Sequence, residues 1–121
     1  MGRNRTSAKR AGAKFEADVA AYLAEHVDDR IERRTMGGTL DRGDIGGVRT
    51  RHNERVVIEV KNVAKQALPQ WTKEARTEAA NDNALVGVVV AKRHGNGNMG
   101  DQWVHLTLRD LVALLTGKEP E

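Results

Sequence analysis

The stretch Arg55-Val56-Val57-Ile58-Glu59-Val60-Lys61-Asn62 is the clearest strand in the chain, and its neighbours can be read outward from it. Its β-branched run has period two, so Val56, Ile58 and Val60 share one face while Val57, Glu59 and Lys61 share the other. A carboxylate and an ammonium therefore project side by side at the end of an apolar strand. Alone, that triplet carries little weight. With seven lysines and 17 acids in 121 residues, chance supplies about one Asp/Glu-x-Lys, and one is present.

The segment before it adds the weight. Residues 51–53 read as a turn and residues 44–50 as the partner strand. With the midpoint of a symmetric hairpin between Arg51 and His52, Asp44 and Glu59 face each other directly. Opposed carboxylates repel unless a proton or cation lies between them. An all-oxygen pair beside backbone carbonyls is the kind of site that holds Mg²⁺ or Mn²⁺. Lys61 then stands next to the ion, able to orient a water or to stabilise charge developing on a phosphate. A bulge at Gly46 and Gly47 would shift this register by one.

The rest of the chain supplies layers for this hairpin. Ala8, Ala11, Phe15, Val19, Tyr22, Leu23 and Val27 recur at helical spacing, giving an amphipathic helix over residues 8–27 with Ser7 as N-cap. A short strand follows over 30–35, then a glycine-rich mobile loop over 36–43. Pro69 opens a helix over 68–80 that stops at Asn81-Asp82-Asn83. The apolar run 84–91 is a strand covered on both faces. A second flexible loop over 94–101, a strand over 102–107 and a helix over 108–116 stopped by Gly117 complete the chain. The order helix, three strands, helix, two strands, helix predicts an α/β fold with a mixed sheet flanked by helices. Its length suits one domain: a flexible basic arm over 1–6, the folded unit over 7–117 and a short tail over 118–121.

Charge is unevenly placed. The formal net charge is +3, yet residues 1–14 hold Arg3, Arg5, Lys9, Arg10 and Lys14 with no acid, and the remainder is slightly acidic. Such an arm points to a polyanion as partner, and 13 of the 20 bases are arginine, the side chain suited to bidentate phosphate contacts. The absence of cysteine excludes disulfides, a thiolate nucleophile and cysteine-based metal sites. His26, His52, His94 and His105 show no metal-ligand spacing. No apolar run reaches the ~20 residues of a membrane span, and no apolar segment follows the basic N-terminus as in a secretion signal. Four aromatics (Phe15, Tyr22, Trp71, Trp103) are too few for a base-stacking platform.

An Asp opening one strand, Gly43-Asp44-Ile45, followed after fourteen residues by Glu59-Val60-Lys61 at the end of the next, resembles the PD-(D/E)XK nuclease superfamily. The resemblance covers roughly residues 7–93 and implies a restriction-endonuclease-like αβββαβ core, here extended by a C-terminal strand and helix. Within the superfamily the chain is most similar to archaeal-type Holliday junction resolvases and their phage counterparts. Glu16 matches their first-helix Glu, and Arg33-Arg34 with the loop over 36–43 matches their Arg-rich first strand and flexible loop. Gly43 stands where the motif has proline, and no Ser lies between Arg34 and Asp44, where archaeal resolvases carry one.

What the resemblance implies is specific. Asp44, Glu59 and the Val60 carbonyl bind the metal, Mg²⁺ with Mn²⁺ as substitute. Lys61 positions the attacking water, and Glu16 completes the site or a second ion position. Phosphodiester hydrolysis leaves 5′-phosphate and 3′-hydroxyl ends. The expected partner is branched DNA, a four-way junction nicked in pairs by a C2 homodimer, in the cytoplasm of a bacterial cell or phage-infected host and not at a membrane.

Arg3, Arg5, Lys9 and Arg10 on the arm, Arg33, Arg34 and Arg42 around the acids, and Lys92 and Arg93 after the buried strand are the candidate DNA contacts. Trp71 and Trp103 read as core or interface residues. The last helix, with Leu108, Leu111, Val112, Leu114 and Leu115, is apolar on more than one face and offers a dimer surface. A less selective restriction or repair nuclease of the same superfamily, and a non-catalytic nucleic-acid-binding protein, are the competing readings.

Overall fold

In a computed structural model that describes residues 4–35 and 40–121, the chain forms an open five-stranded mixed sheet between helices. Arg3 and Thr39 thus lie outside the described residues, as does most of the glycine-rich loop. The elements are α1 (Arg5–His26), β1 (Glu32–Arg33), β2 (Ile45–Gly46), β3 (Val56–Lys61), α2 (Leu68–Asn81), β4 (Val86–Ala91), a 3₁₀ turn (Met99–Asp101), β5 (Trp103–His105) and α3 (Leu108–Thr116). The strands lie in the order β1-β2-β3-β4-β5; only β3 and β4 run parallel, joined by the α2 crossover.

Period-two alternation in β3 and β4 feeds two cores. Ile58, Val60, Val86, Val88 and Val90 meet Phe15, Val19 and Ala20 of α1 and Ala113 of α3 on one face. Val89 and Ala91 meet Trp71 and Ala75 of α2 on the other. A Cβ at Gly87 would collide with the Ala75 backbone carbonyl, so α2 lies directly on the β4 main chain at that point. The alternation of β3 therefore sends Glu59 and Lys61 towards α2 and away from α1.

The hairpin register holds a compensation. Near the turn Arg49 pairs with Arg55, whereas further along Ile45 pairs with Ile58. Three residues lie between these points on one strand and two on the other, a β-bulge with Gly47 at φ +84°. The turn is centred half a residue later than the symmetric estimate, and the bulge takes that offset back. Asp44 and Glu59 are brought opposite by two displacements that cancel.

Several boundaries differ from expectation. Helix α1 starts at Arg5 because Asn4, not Ser7, is the N-cap: its Oδ1 accepts from the Ser7 backbone N–H at 2.8 Å. Arg5 and Thr6 are thus helical rather than part of an arm. Strands β1 and β2 are two residues each, shorter than the spans 30–35 and 44–50, since glycines and the bulge interrupt the ladder. Residues 94–101, expected to be flexible, are knitted by side-chain bonds: Gln102 Nε2 donates to the Asn96 and Asn98 carbonyls at 2.9 and 2.8 Å. Trp103 is 45% exposed because β5 is an edge strand that no described helix covers on that face, whereas Trp71 is buried. No helix among the described residues is long and apolar enough to cross a membrane.

A buried carboxyl cluster between the hairpin and helix α2

Asp44 sits at the mouth of β2. Its backbone N–H donates to the Ile58 carbonyl at 2.9 Å, and its Oδ2 accepts from the Val60 N–H at 2.7 Å. The N–H and C=O of one strand residue point to the same side, so the Val60 carbonyl also faces Asp44 rather than β4. The Asp44 carboxyl touches that of Glu59, which is only 7% exposed. Gly43, at φ +90°, makes this approach possible: a Cβ there would stand 2.6 Å from Val57 Cγ1 and 3.0 Å from the Ile58 carbonyl.

Two further acids close the group. Glu78 projects from α2 and is 3% exposed, with Oε2 lacking a hydrogen-bond partner among the described residues. Asp41, before the hairpin, accepts from the Gly43 N–H through Oδ1 at 2.9 Å, while its carbonyl accepts from Asn81 Nδ2 at 2.7 Å. Carboxylate oxygens of Asp41, Glu59 and Glu78 lie within 4.8 Å of one another. Glu78 was absent from the sequence reading because helix-surface glutamates are ordinarily solvated. The signal was its position: with Trp71, Ala75 and Ala79 it falls on the buried stripe of α2, where an acid is out of place.

Like charges packed this closely change their protonation. Burial, reinforced by Glu59, pushes Asp44 up to about 8. Burial likewise pushes Glu59 up to about 8, with Glu78 as its destabilising neighbour, and Glu78 itself up to about 7. Lys61 does not discharge the group. Its Nζ is 2.8 Å from Glu74 Oε2 on α2, and although burial acts to lower its pKa, the bond to Glu74 and the nearby Glu59 raise it overall. Glu74 is held below the usual range first by that lysine.

The donor set fits a hard divalent cation. It is all oxygen and largely buried, its charges are unbalanced by any neighbouring base, and Glu78 Oε2 lacks the partner that a buried oxygen requires. No family model, curated protein or solved structure matches this chain. Its chemistry must be argued from the cluster itself.

The other candidate residues are dispersed. Glu16 lies outside the carboxyl group and is paired with Arg33, Oε2 to Nε at 2.9 Å. Arg34 packs on Gly46, donates to the Arg42 carbonyl at 2.6 Å and lies 3.5 Å from Asp82 Oδ1. Arg5, Lys9, Arg10 and Arg42 are exposed. Lys92 donates to the Asn96 carbonyl at 3.0 Å, and the Arg93 guanidinium lies 4.5 Å from the centre of the Trp103 ring.

Proposed function

We propose that the protein is a metal-dependent, structure-selective DNA endonuclease related to the PD-(D/E)XK nucleases, with a restriction-endonuclease-like core, acting on four-way junctions. The buried carboxyl cluster carries this reading: four acids gathered beside one already paired lysine are costly unless a cation belongs there. Asp44, Glu59 and the Val60 carbonyl would hold Mg²⁺, or Mn²⁺ in its place, with Asp41 and Glu78 able to add oxygens on the α2 side. Such an ion lowers the pKa of its water and offsets charge on the scissile phosphate. Lys61, on the same face as Glu59, is assigned to orienting the attacking water, with Glu74 fixing its ammonium. Glu16 would reach the site only by leaving Arg33. Hydrolysis would leave 5′-phosphate and 3′-hydroxyl ends.

Paired nicking requires two sites related by two-fold symmetry. Leu108, Val112 and Leu115 on α3 are 76%, 51% and 77% exposed, and Val104 on the edge strand β5 is 55% exposed. That apolar surface supports a C2 homodimer. A cytoplasmic site of action, in a bacterial cell or phage-infected host, accompanies this reading.

The test incubates the protein with a four-way junction, a linear duplex and a single strand, in Mg²⁺ or EDTA, beside Asp44→Asn. Symmetric nicks confined to the junction, requiring Mg²⁺ and lost in the variant, are the expected result. Cutting of every duplex would indicate a general nuclease. Binding without cutting, unchanged by Asp44→Asn, would sink the enzymatic reading and leave a nucleic-acid-binding protein.

A further inference from the structure

Next to the carboxyl cluster lies its opposite. A cleft of about 300 Å³ between the β2–β3 hairpin and the C-terminal end of α2 is lined by Arg34, Arg42, Arg49 and Arg55, with Asp82 as its lining carboxylate among the described residues. Arg49 and Arg55 are direct cross-strand partners. Like charges opposed in this way destabilise a strand pair, so the arrangement needs a compensating anion. Asp82, 3.5 Å from Arg34, supplies one negative charge against four positive ones.

These guanidinium groups are held in place. Arg49 Nη1 donates to the Asn53 carbonyl at 3.1 Å, Arg55 Nη1 to the Asp82 carbonyl at 3.0 Å and Arg34 Nη1 to the Arg42 carbonyl at 2.6 Å. Each bond uses one of five donors and leaves the rest for a ligand. Anchored guanidinium groups suit tetrahedral oxyanions, because less rotamer freedom is lost when they bind. A second concavity, of about 280 Å³, shares Arg34 and Arg42 with the first and contains Asp41 and Asp44. One extended polyanion can therefore pass through both.

We propose that the Arg34–Arg42–Arg49–Arg55 cleft binds a backbone phosphate of the DNA strand whose scissile phosphate lies at the carboxyl cluster. The proposal rests on the nuclease reading and adds to it: Arg49 and Arg55 fix the strand's path, and they bind through phosphate rather than through base identity.

The experiment measures anisotropy of a labelled 20-base-pair duplex in EDTA, across a salt series, for the wild type, Arg49→Gln, Arg49→Gln/Arg55→Gln and Arg109→Gln as a charge-matched control. The double variant should bind about tenfold or more weakly, and its log–log salt slope should be shallower by about 1–2, near 0.9 for each lost contact. Arg49→Gln, in an exposed side chain, gives half of that effect and stands if the double variant does not fold. Variants indistinguishable from Arg109→Gln, with the wild type binding or cutting DNA, would overturn the cleft alone. A wild type that binds no duplex would overturn both the cleft and the nuclease reading. Inorganic phosphate that stabilises only proteins with an intact cleft, while duplex affinities stay equal, would overturn the backbone-phosphate assignment in favour of a small-anion site.

Discussion

Replacing Glu59 with glutamine should make the metal-free protein more stable at alkaline pH. Glu59 is held at about 8 in the fold against an ordinary 4.5, so between those values the folded chain binds more protons than the unfolded one. Stability must then fall as pH rises through that window. Undiminished, holding a carboxyl that far from its ordinary value costs up to about 5 kcal/mol above pH 8. Residual solvent contact and the sharing of protons among Asp44, Glu59 and Glu78 reduce the gain from one substitution to about 1–3 kcal/mol. For a chain of this size that is about 4–12 °C in Tm.

The assay is thermal unfolding followed by circular dichroism in EDTA, at pH 5 and pH 8.5, for wild type and Glu59→Gln. At pH 8.5 the variant should melt higher, and at pH 5 the difference should shrink below about 1 kcal/mol. Saturating Mn²⁺ should reverse the order, because at a hundred times Kd a ligand adds about 2.7 kcal/mol to the protein that binds it. A variant that melts at or below wild type at pH 8.5 in EDTA would refute the claim that these acids are mutually destabilising. So would a variant–wild-type difference that does not change between the two pH values.

Three other outcomes follow from the same geometry. Glu78→Gln should weaken Mn²⁺ binding at least tenfold by calorimetry, and wild-type affinity should rise from pH 6 to pH 8.5, because protons held at about 7 and 8 must leave as the ion enters. Gly43→Ala should cost about 1–3 kcal/mol in denaturant unfolding, since it combines a left-handed φ of +90° with a Cβ 2.6 Å from Val57 Cγ1. Leu108→Ser/Leu115→Ser should leave the monomer's stability within about 0.5 kcal/mol, both side chains being more than three-quarters exposed, while shifting a dimer to monomer in sedimentation velocity.

What was legible in the sequence was whatever repeats at a fixed period. The β-branched alternation of Val56 to Val60 and the apolar run ending at Ala91 gave β3 and β4, and the heptad-like spacing of Phe15, Val19 and Tyr22 gave α1. The α/β order followed from these. Asp44 opposite Glu59 was read correctly on an argument that omitted half the cause, because a Gly47 bulge and a displaced turn cancel. Neither offset has a periodic signature. The start of α1 was misplaced because Asn4 and Ser7 are both good caps, and only the geometry decides between them. Glu78 and the Arg49–Arg55 pair escaped for another reason. A charge on a surface element looks solvated until the packing partner is known, and α2 over β3 is a contact between segments distant in sequence.

The hairpin explains why those charges were not spent on each other. Asp44 and Arg49 share one arm, Glu59 and Arg55 the other, four or five residues apart. At ~3.3 Å per residue the acids stand about 13–16 Å from the arginines. A flexible chain with these residues would form two ordinary ion pairs. The strand pairing instead places acid against acid and arginine against arginine, the less stable choice at both ends. Natural sequences break local rules of this kind mainly where something else is to be bound. A divalent cation relieves one end and a phosphate the other, and a phosphodiester strand next to a bound metal ion supplies both charges in the same order as the hairpin. The two unfavourable pairs are therefore better understood together, as halves of one binding track, than as separate defects in the same sheet.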